Sequence, residues 1–237
     1  MDHKVNGQGH LVLGGADAVA LAEKYGTPLY VMEEEVIRAA MRAYRQSVER
    51  FYDGKGLICY ASKAFACKEM YRIAKAEGLG ADVVSGGELY TAGKAGFPME
   101  KVVFHGNNKT PEELRMALAL GVGRIVVDNF EELETLSALA AENGVRPNIQ
   151  LRTEPGTPAH THKFIMTGQI DSKFGFALET GEAMEAVKQA LACSSLNLTG
   201  VHCHIGSQIH VVTPFIRAAG VMVQIMADVR QEAGHTL

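Results

Sequence analysis

Lys63 is the first residue of this sequence whose type and position suggest covalent chemistry. It follows a short apolar run, residues 57–61, with one residue between, so its side chain starts beside a predicted hydrophobic interior. A lysine in a partly desolvated place has a lowered pKa, and its neutral amine can attack a carbonyl to form a Schiff base. The same position also fits an ordinary surface lysine in a loop after a strand, and both interpretations stay open.

A serine and two glycines, Ser85-Gly86-Gly87, follow the next apolar run and precede Glu88. Glycines at such a turn let the backbone approach a ligand closely, and the N-terminus of a following helix attracts an anion. A glycine pair between a strand and a helix is also simply a turn, so this segment alone predicts no function.

Two histidines, His202 and His204, lie two residues apart on a predicted strand that ends before Gly206 and Ser207. Side chains two apart on a strand share a face, so an imidazole there could stack on a flat cofactor while the Gly-Ser turn holds phosphate. A metal site is an alternative, but no carboxylate or cysteine with suitable spacing accompanies the histidines. A hydrogen-bonded core histidine is the other alternative.

A long polar connection separates the fifth and sixth apolar runs and contains His160-Thr161-His162. Loops of this length in compact domains are either functional or disordered, and the residues themselves do not decide between the two.

The elements that must position these residues alternate along the chain. Predicted strands lie at residues 57–61, 80–84, 102–104, 124–127, 148–151 and 198–203. Predicted helices lie at 34–51, 68–77, 87–95, 111–120, 130–143, 181–192 and 214–233. Thr110-Pro111 is typical of a helix start and Gly121 of a helix end, which fixes one helix well.

Strand–helix alternation predicts an α/β protein with a parallel sheet, either doubly wound or a TIM-type (β/α)₈ barrel. The barrel is favoured because polar residues follow most of the predicted strands, where barrel enzymes place their chemistry. These residues are Lys63, 85–88, 105–108, Asp128, Arg152 and His204. Only six strands are found and a complete barrel has eight. We therefore expect a lead-in segment at 1–32 with a strand at residues 28–31, an incomplete barrel at 33–237, and a chain that is truncated at its C-terminus.

Composition excludes several classes of protein. The formal net charge is −4 and the basic residues are scattered, which argues against binding to nucleic acid or an anionic membrane. No apolar run reaches the ~20 residues that span a bilayer. The four cysteines have no zinc-type spacing, so we expect reduced thiols, no metal and a cytoplasmic location.

Seven segments together resemble the fold-type III pyridoxal-phosphate decarboxylases, whose barrel is of the alanine-racemase kind. They occur in the family's order at residues 25–31, 60–65, 81–89, 105–109, 160–162, 172–175 and 202–208. The His-Thr-His and His-Gly-Asn-Asn-Lys segments are similar to the diaminopimelate decarboxylase branch in particular.

The resemblance implies a role for six residues. Lys63 would carry pyridoxal 5′-phosphate as a Schiff base, His204 would stack on its ring, and Ser207 would help to hold its phosphate. The residues that would support lysine and cofactor are Asp82, Glu88 and Arg152.

The implied activity is decarboxylation of a small amino acid, meso-2,6-diaminopimelate, to L-lysine and CO₂, the last step of lysine biosynthesis. The resemblance also implies a homodimer for the full-length enzyme and further active-site segments beyond Leu237, so we expect the chain by itself to be inactive. Alternatives are a decarboxylase of another basic amino acid, such as ornithine or arginine, and a pyridoxal-phosphate racemase or carrier protein.

Overall fold

The computed structural model describes residues 4–154 and 174–237. They form two compact units. The first runs as far as Ile58 and includes Ala76–Leu79, and the second comprises Cys59–Lys75 and the chain from Gly80 onward. In the described residues, no helix is both long and apolar enough to cross a membrane.

The first unit begins with three short strands that the sequence pattern did not predict. They are β1 (Lys4–Val5), β2 (Leu11–Leu13) and β3 (Ala16–Asp17), paired antiparallel in that order. The helix α1 (Ala18–Tyr25) follows, and the Asp17 carboxylate caps it by accepting from the N–H groups of Val19 and Ala20.

The strand expected at residues 28–31 is wrong. No regular structure forms there, since Pro28 has no backbone N–H to donate. Tyr30 is 98% exposed.

The long helix α2 (Glu34–Tyr52) completes the first unit and starts with the expected acidic turn. Arg38 and Arg42 extend from it to the carboxylate of Glu77, with nitrogen–oxygen distances of 2.8 and 2.9 Å. These two guanidinium groups lower the pKa of Glu77 to about 2.

The remaining elements alternate between strand and helix, as predicted. They are β4 (Cys59–Ala61), a 3₁₀ turn (Ser62–Ala64), α3 (Lys68–Ala76), β5 (Gly80–Val83), α4 (Gly86–Lys94), a 3₁₀ turn (Met99–Lys101), β6 (Val102–Phe104), α5 (Pro111–Leu120), β7 (Arg124–Val127), α6 (Phe130–Glu142), β8 (Asn148–Glu154), β9 (Phe176–Ala177), α7 (Glu182–Ala192), β10 (Asn197–His202) and α8 (Thr213–Ala233).

All strands of the second unit run parallel, in the order β4-β5-β6-β7-β8-β10, and β9 pairs with the end of β8. Neighbours in the sheet follow one another along the chain, with a helix after each main strand, which is the arrangement of a (β/α) barrel. The predicted fold class is confirmed: in the described part of the chain the barrel is incomplete, with six main strands where a complete barrel has eight. Phe104, Ile125 and Leu151 are fully buried in its core.

Local signals place the ends of α5 where the sequence predicts them. The Thr110 hydroxyl accepts from the Glu113 N–H, and the Glu113 carboxylate accepts in return from the Thr110 N–H. This capping box satisfies two N–H groups that a helix start leaves unpaired. Gly121 ends the helix in the left-handed conformation, at φ 66°.

Parallel strands bring their C-terminal ends to one edge of the sheet. That edge is called the rim below, and the side chains on it and just beyond it come from six successive strands.

Candidate active site

Lys63 lies in the 3₁₀ turn that directly follows β4, and its side chain is exposed at the rim. The neighbouring Ser62 is fully buried. Its hydroxyl lies 2.8 Å from both the backbone oxygen of Asp82 and a carboxylate oxygen of Glu88. One hydroxyl proton serves these two acceptors, and the turn that carries Lys63 is thereby fixed against β5 and α4.

Glu88 organises the backbone around that turn. The carboxylate oxygen that faces Ser62 also accepts from the Val84 N–H at 2.8 Å. Ser85 caps α4, because its hydroxyl accepts from the Glu88 N–H. A Cβ at Gly86 would lie 3.0 Å from Glu113 Cγ, so the glycine leaves room for the Glu113 side chain, whose carboxylate accepts from the Gly86 N–H.

Asp82 points from β5 towards His105, which follows β6. The distance from His105 Nε2 to Asp82 Oδ2 is 3.1 Å, but the two groups are not aligned for a hydrogen bond, and both ring nitrogens of His105 have no hydrogen-bond partner among the described residues. The His105 ring lies 5.8 Å from that of His202, centroid to centroid. Nδ1 of His202 is also buried without a partner in the described part of the chain.

His202 and His204 are held neutral at pH 7. Burial lowers the pKa of His202 to about 3, helped by His105 and Arg152. Burial, followed by the charge of Lys63, lowers the pKa of His204 to about 4. The charge of Lys63 therefore influences the His204 ring across the rim, although β4 and β10 are far apart in the sheet order.

The turn after β10 has an unusual backbone. Gly206 has φ 120° and Gln208 has φ 54°, and the second value is in the left-handed region that residues other than glycine rarely adopt. Ser207 lies between them and is exposed. The turn therefore presents a hydroxyl and backbone groups to the open side of the rim.

Arg152 is nearly fully buried on β8. Its Nη1 lies 3.3 Å from Asp128 Oδ1, and its guanidinium stacks over the Phe174 ring at 4.4 Å. Burial raises the pKa of Asp128, and the charge of Arg152 opposes that shift.

Sequence reasoning assigned no role to His105, Lys109 or Asp128, which the structure places at the same rim. Their signals were their position just after β6 and β7 and, for His105 and Lys109, their place in the resembling segment at residues 105–109. The His160-Thr161-His162 segment and residues 172–173 lie outside the described residues.

Metal binding has no support in residues 4–154 and 174–237, where no group of three or more histidine, cysteine or acidic side chains could hold an ion. The four cysteines are free thiols. Burial raises the pKa of Cys59 to about 11 and also raises that of Cys203, so neither thiol is activated as a nucleophile.

The rim thus offers an exposed amine, a neutral flat ring that is influenced by the charge of that amine, and a turn with an exposed hydroxyl. An amine can hold an aldehyde covalently, and a neutral imidazole can stack on an aromatic ring. These groups fit a flat cofactor that carries a carbonyl and a phosphate.

Comparison with known proteins supports that fit. Residues 34–237 match the pyridoxal-binding domain of the pyridoxal-dependent decarboxylases. The diaminopimelate decarboxylases of Bacillus methanolicus and Bacillus subtilis are each 52% identical over 216 residues, which is 91% and 90% of this chain. A crystal structure of diaminopimelate decarboxylase from M. jannaschii in complex with L-lysine aligns over 99% of this chain, with a TM-score of 0.88 and 38% identity.

The chain spans about half the length of these relatives. It covers 50% and 48% of the two Bacillus proteins and 54% of the M. jannaschii chain.

Proposed function

This chain belongs to the family of pyridoxal-dependent decarboxylases, and we propose that it forms the cofactor-binding part of a diaminopimelate decarboxylase. The proposed reaction removes the carboxylate at the D-configured end of meso-2,6-diaminopimelate and yields L-lysine and CO₂. The observation that carries the proposal is that exposed Lys63 and neutral His204 share the rim and interact electrostatically, in a chain about half identical to enzymes of that name.

Six residues are proposed to hold pyridoxal 5′-phosphate. Lys63 would supply the amine that holds the cofactor covalently, and the half-buried ring of His204 would stack on it and exclude water. Ser207 would donate to the phosphate from its exposed turn. The supporting residues would be Asp82, Glu88 and Arg152, and the bonds from Glu88 to Ser62 and Val84 favour a positioning role for Glu88.

The chemistry divides between cofactor and protein. Bound pyridoxal phosphate accepts the electron pair that is left when the carboxylate departs. The protein orients the groups around it: Ser62 and Glu88 fix the turn that carries Lys63. The low pKa of His204 keeps its ring uncharged, so that it does not add a second positive charge next to Lys63.

The proposed substrate class follows from the relatives rather than from the rim alone. The M. jannaschii enzyme was crystallised with L-lysine, which is the product of the proposed reaction. That supports a basic amino acid as the product here and a place at the end of lysine biosynthesis.

The location, assembly and domain boundary are further parts of the proposal. Four free cysteines fit the reducing cytoplasm, and a homodimer is proposed for the enzyme as a whole. A lead-in segment at residues 1–32 is proposed because the family match starts at residue 34.

Reductive labelling tests the role of Lys63. The protein is loaded with pyridoxal phosphate, reduced with borohydride and digested, and the labelled peptide is identified by mass spectrometry. We expect the label on Lys63, its loss in Lys63→Ala, and its retention in Lys68→Ala, a control at an exposed lysine five positions later. Label on another lysine would refute the assignment, and no label at all would refute the cofactor.

The reaction is tested on the complete coding sequence with saturating cofactor. We expect CO₂ release from meso-diaminopimelate to exceed release from ornithine or arginine by at least ~100-fold, the scale on which a site discriminates by polar groups. Faster release from ornithine or arginine would assign another basic substrate. Racemisation of an amino acid without CO₂ release would assign a racemase.

A further inference from the structure

Lys109 has no role in the proposed reaction, yet it is one of the most deeply buried charges in the described residues, with 1% of its side chain exposed. Its Nζ donates to the backbone oxygens of Gly106 at 2.6 Å and Val126 at 2.8 Å. It also lies 2.8 Å from Glu132 Oε1. The geometry at that oxygen falls short of a hydrogen bond, but opposite charges at this distance attract strongly in a buried place.

The contacts continue from Lys109 to the rim. The other carboxylate oxygen of Glu132 accepts from the Asp128 N–H at 3.3 Å, and Asp128 Oδ1 accepts from Arg152 Nη1 at 3.3 Å. Lys109, Glu132, Asp128 and Arg152 are called the central cluster below. It extends across the ends of β6, β7 and β8 and balances two positive charges with two negative ones.

Arg152 is also restrained from its other side. Its guanidinium stacks on Phe174, and the neighbouring Gly175 N–H favours the charged form of the Asp128 carboxylate. Gly175 has φ 71°, and a side chain there would come within 2.8 Å of the Arg152 backbone oxygen. Arg152 is therefore held between the central cluster and residues 174–175, which leaves it little choice of orientation.

Stabilisation of the fold poorly explains why these buried positions carry charged residues. Burial raises the pKa of both Glu132 and Asp128, which shows that each carboxylate is costly to desolvate. Apolar residues of similar volume often give equal or greater stability than a buried ion pair. What a charged cluster does provide is a fixed direction for each of its members.

We propose that Lys109 is a positioning residue that acts through Glu132 and Asp128 to orient Arg152 at the cofactor site. The proposal rests on the proposed function, because Arg152 is assigned to the cofactor there. A purely structural Lys109 would instead stabilise the loops after β6 and β7 without affecting Arg152.

A double-mutant cycle separates these two roles. Lys109→Met is expected to weaken pyridoxal-phosphate binding, measured by absorbance titration, about tenfold, within the range for coupled neighbours. In an Arg152→Lys background the same substitution should cause no further loss. Equal loss in both backgrounds would overturn the proposal. Lys94→Met, at an exposed lysine of α4, is the control and should bind like the unmodified protein.

Two additions keep the test decisive. If Lys109→Met does not fold, the cycle is repeated with Lys109→Met combined with Glu132→Gln, which removes both charges and leaves no unpaired ion. The second addition is NMR of ¹³C-labelled arginine in the cofactor-free protein, with the Arg152 signal assigned by its loss in Arg152→Lys. Lys109→Met should shift that signal; an unshifted signal would overturn the positioning role. The NMR measurement needs no cofactor, so it tests the positioning role independently of the proposed function. Failure of the proposed function would be recognised separately, by the absence of borohydride label.

Discussion

Charged side chains at the central strands of the sheet are buried, whereas the polar side chains that follow its edge strands are exposed or half-buried. At the C-terminal ends of β6, β7 and β8 the charged groups of the central cluster are buried and pair with one another or with backbone. Lys63 and Ser207, which follow the edge strands β4 and β10, are exposed, and His204 is half-buried.

This difference in burial distinguishes the residues that support the site from those that would contact the ligand. A buried charge must be satisfied by the protein itself, because desolvation without a partner costs several kcal/mol. A group that meets a ligand must keep its polar atoms available until the ligand arrives, and it depends on supporting residues for its orientation. We therefore interpret the central cluster as the support and Lys63, His204 and Ser207 as the groups in contact with the cofactor.

The largest expected effect is on stability at the central cluster. Asp128→Ala leaves the Arg152 guanidinium buried without its partner and should lower the free energy of unfolding by about 3–5 kcal/mol. Lys63→Ala should change it by no more than about 0.5 kcal/mol, as for most surface substitutions. Urea unfolding of both variants measures the contrast. Equal losses of unfolding free energy in the two variants would contradict the distinction between supporting residues and ligand-contacting residues.

The second effect is on the pH dependence of stability. Acidification should reduce the stability contributed by His202 and His204 and increase that contributed by Asp128 in the central cluster. The folded-state pKa values of His202 and His204 lie below the unfolded value of 6.5. The unfolded chain therefore binds more protons, and stability falls as the pH is lowered from about 6.5 to 4. The pKa of Asp128 is raised, so its contribution to stability increases on acidification.

The pH prediction is measured as the free energy of unfolding between pH 7 and pH 4. His202→Gln should flatten the loss on acidification, since it removes a ring that faces His105, Arg152, His204 and Lys109. Asp128→Asn should steepen the loss, because it removes the opposing group. An unchanged slope in His202→Gln would show that this ring is protonated in the folded state as readily as in the unfolded chain.

The smallest effect compares the last residue of β10 with a residue just beyond that strand. His204→Ala should weaken cofactor retention more than His202→Ala, because the His204 ring is influenced by the charge of Lys63 and directly precedes the Ile205–Ser207 turn. We expect a difference of about 1 kcal/mol, the scale of one aromatic stacking contact. Dialysis of the loaded protein followed by absorbance measures it. A larger loss in His202→Ala would favour a paired-histidine site with His105 over stacking by His204.

Local signals allowed most of the fold to be predicted. The start and end of α5 were predicted correctly because Thr110, Pro111 and Gly121 act on backbone groups within their own helix. The six main strands were predicted because buried parallel strands give short apolar runs. In contrast, β9 has two residues and exists only through pairing with Thr153 and Glu154 on β8, and residues 28–31 have apolar side chains but form no strand.

The sequence by itself determined the barrel class, the location of Lys63 and His204 just after their strands, and the resemblance to pyridoxal-phosphate decarboxylases; Arg152, predicted just after its strand, lies within β8. Only the tertiary structure decided which of the polar residues at the rim are buried. Lys63 and Lys109 both follow short apolar strands, yet one is exposed and the other is enclosed by two backbone oxygens and Glu132. The physical reason is that burial and pairing depend on side chains from neighbouring strands, which sequence spacing along one strand does not specify.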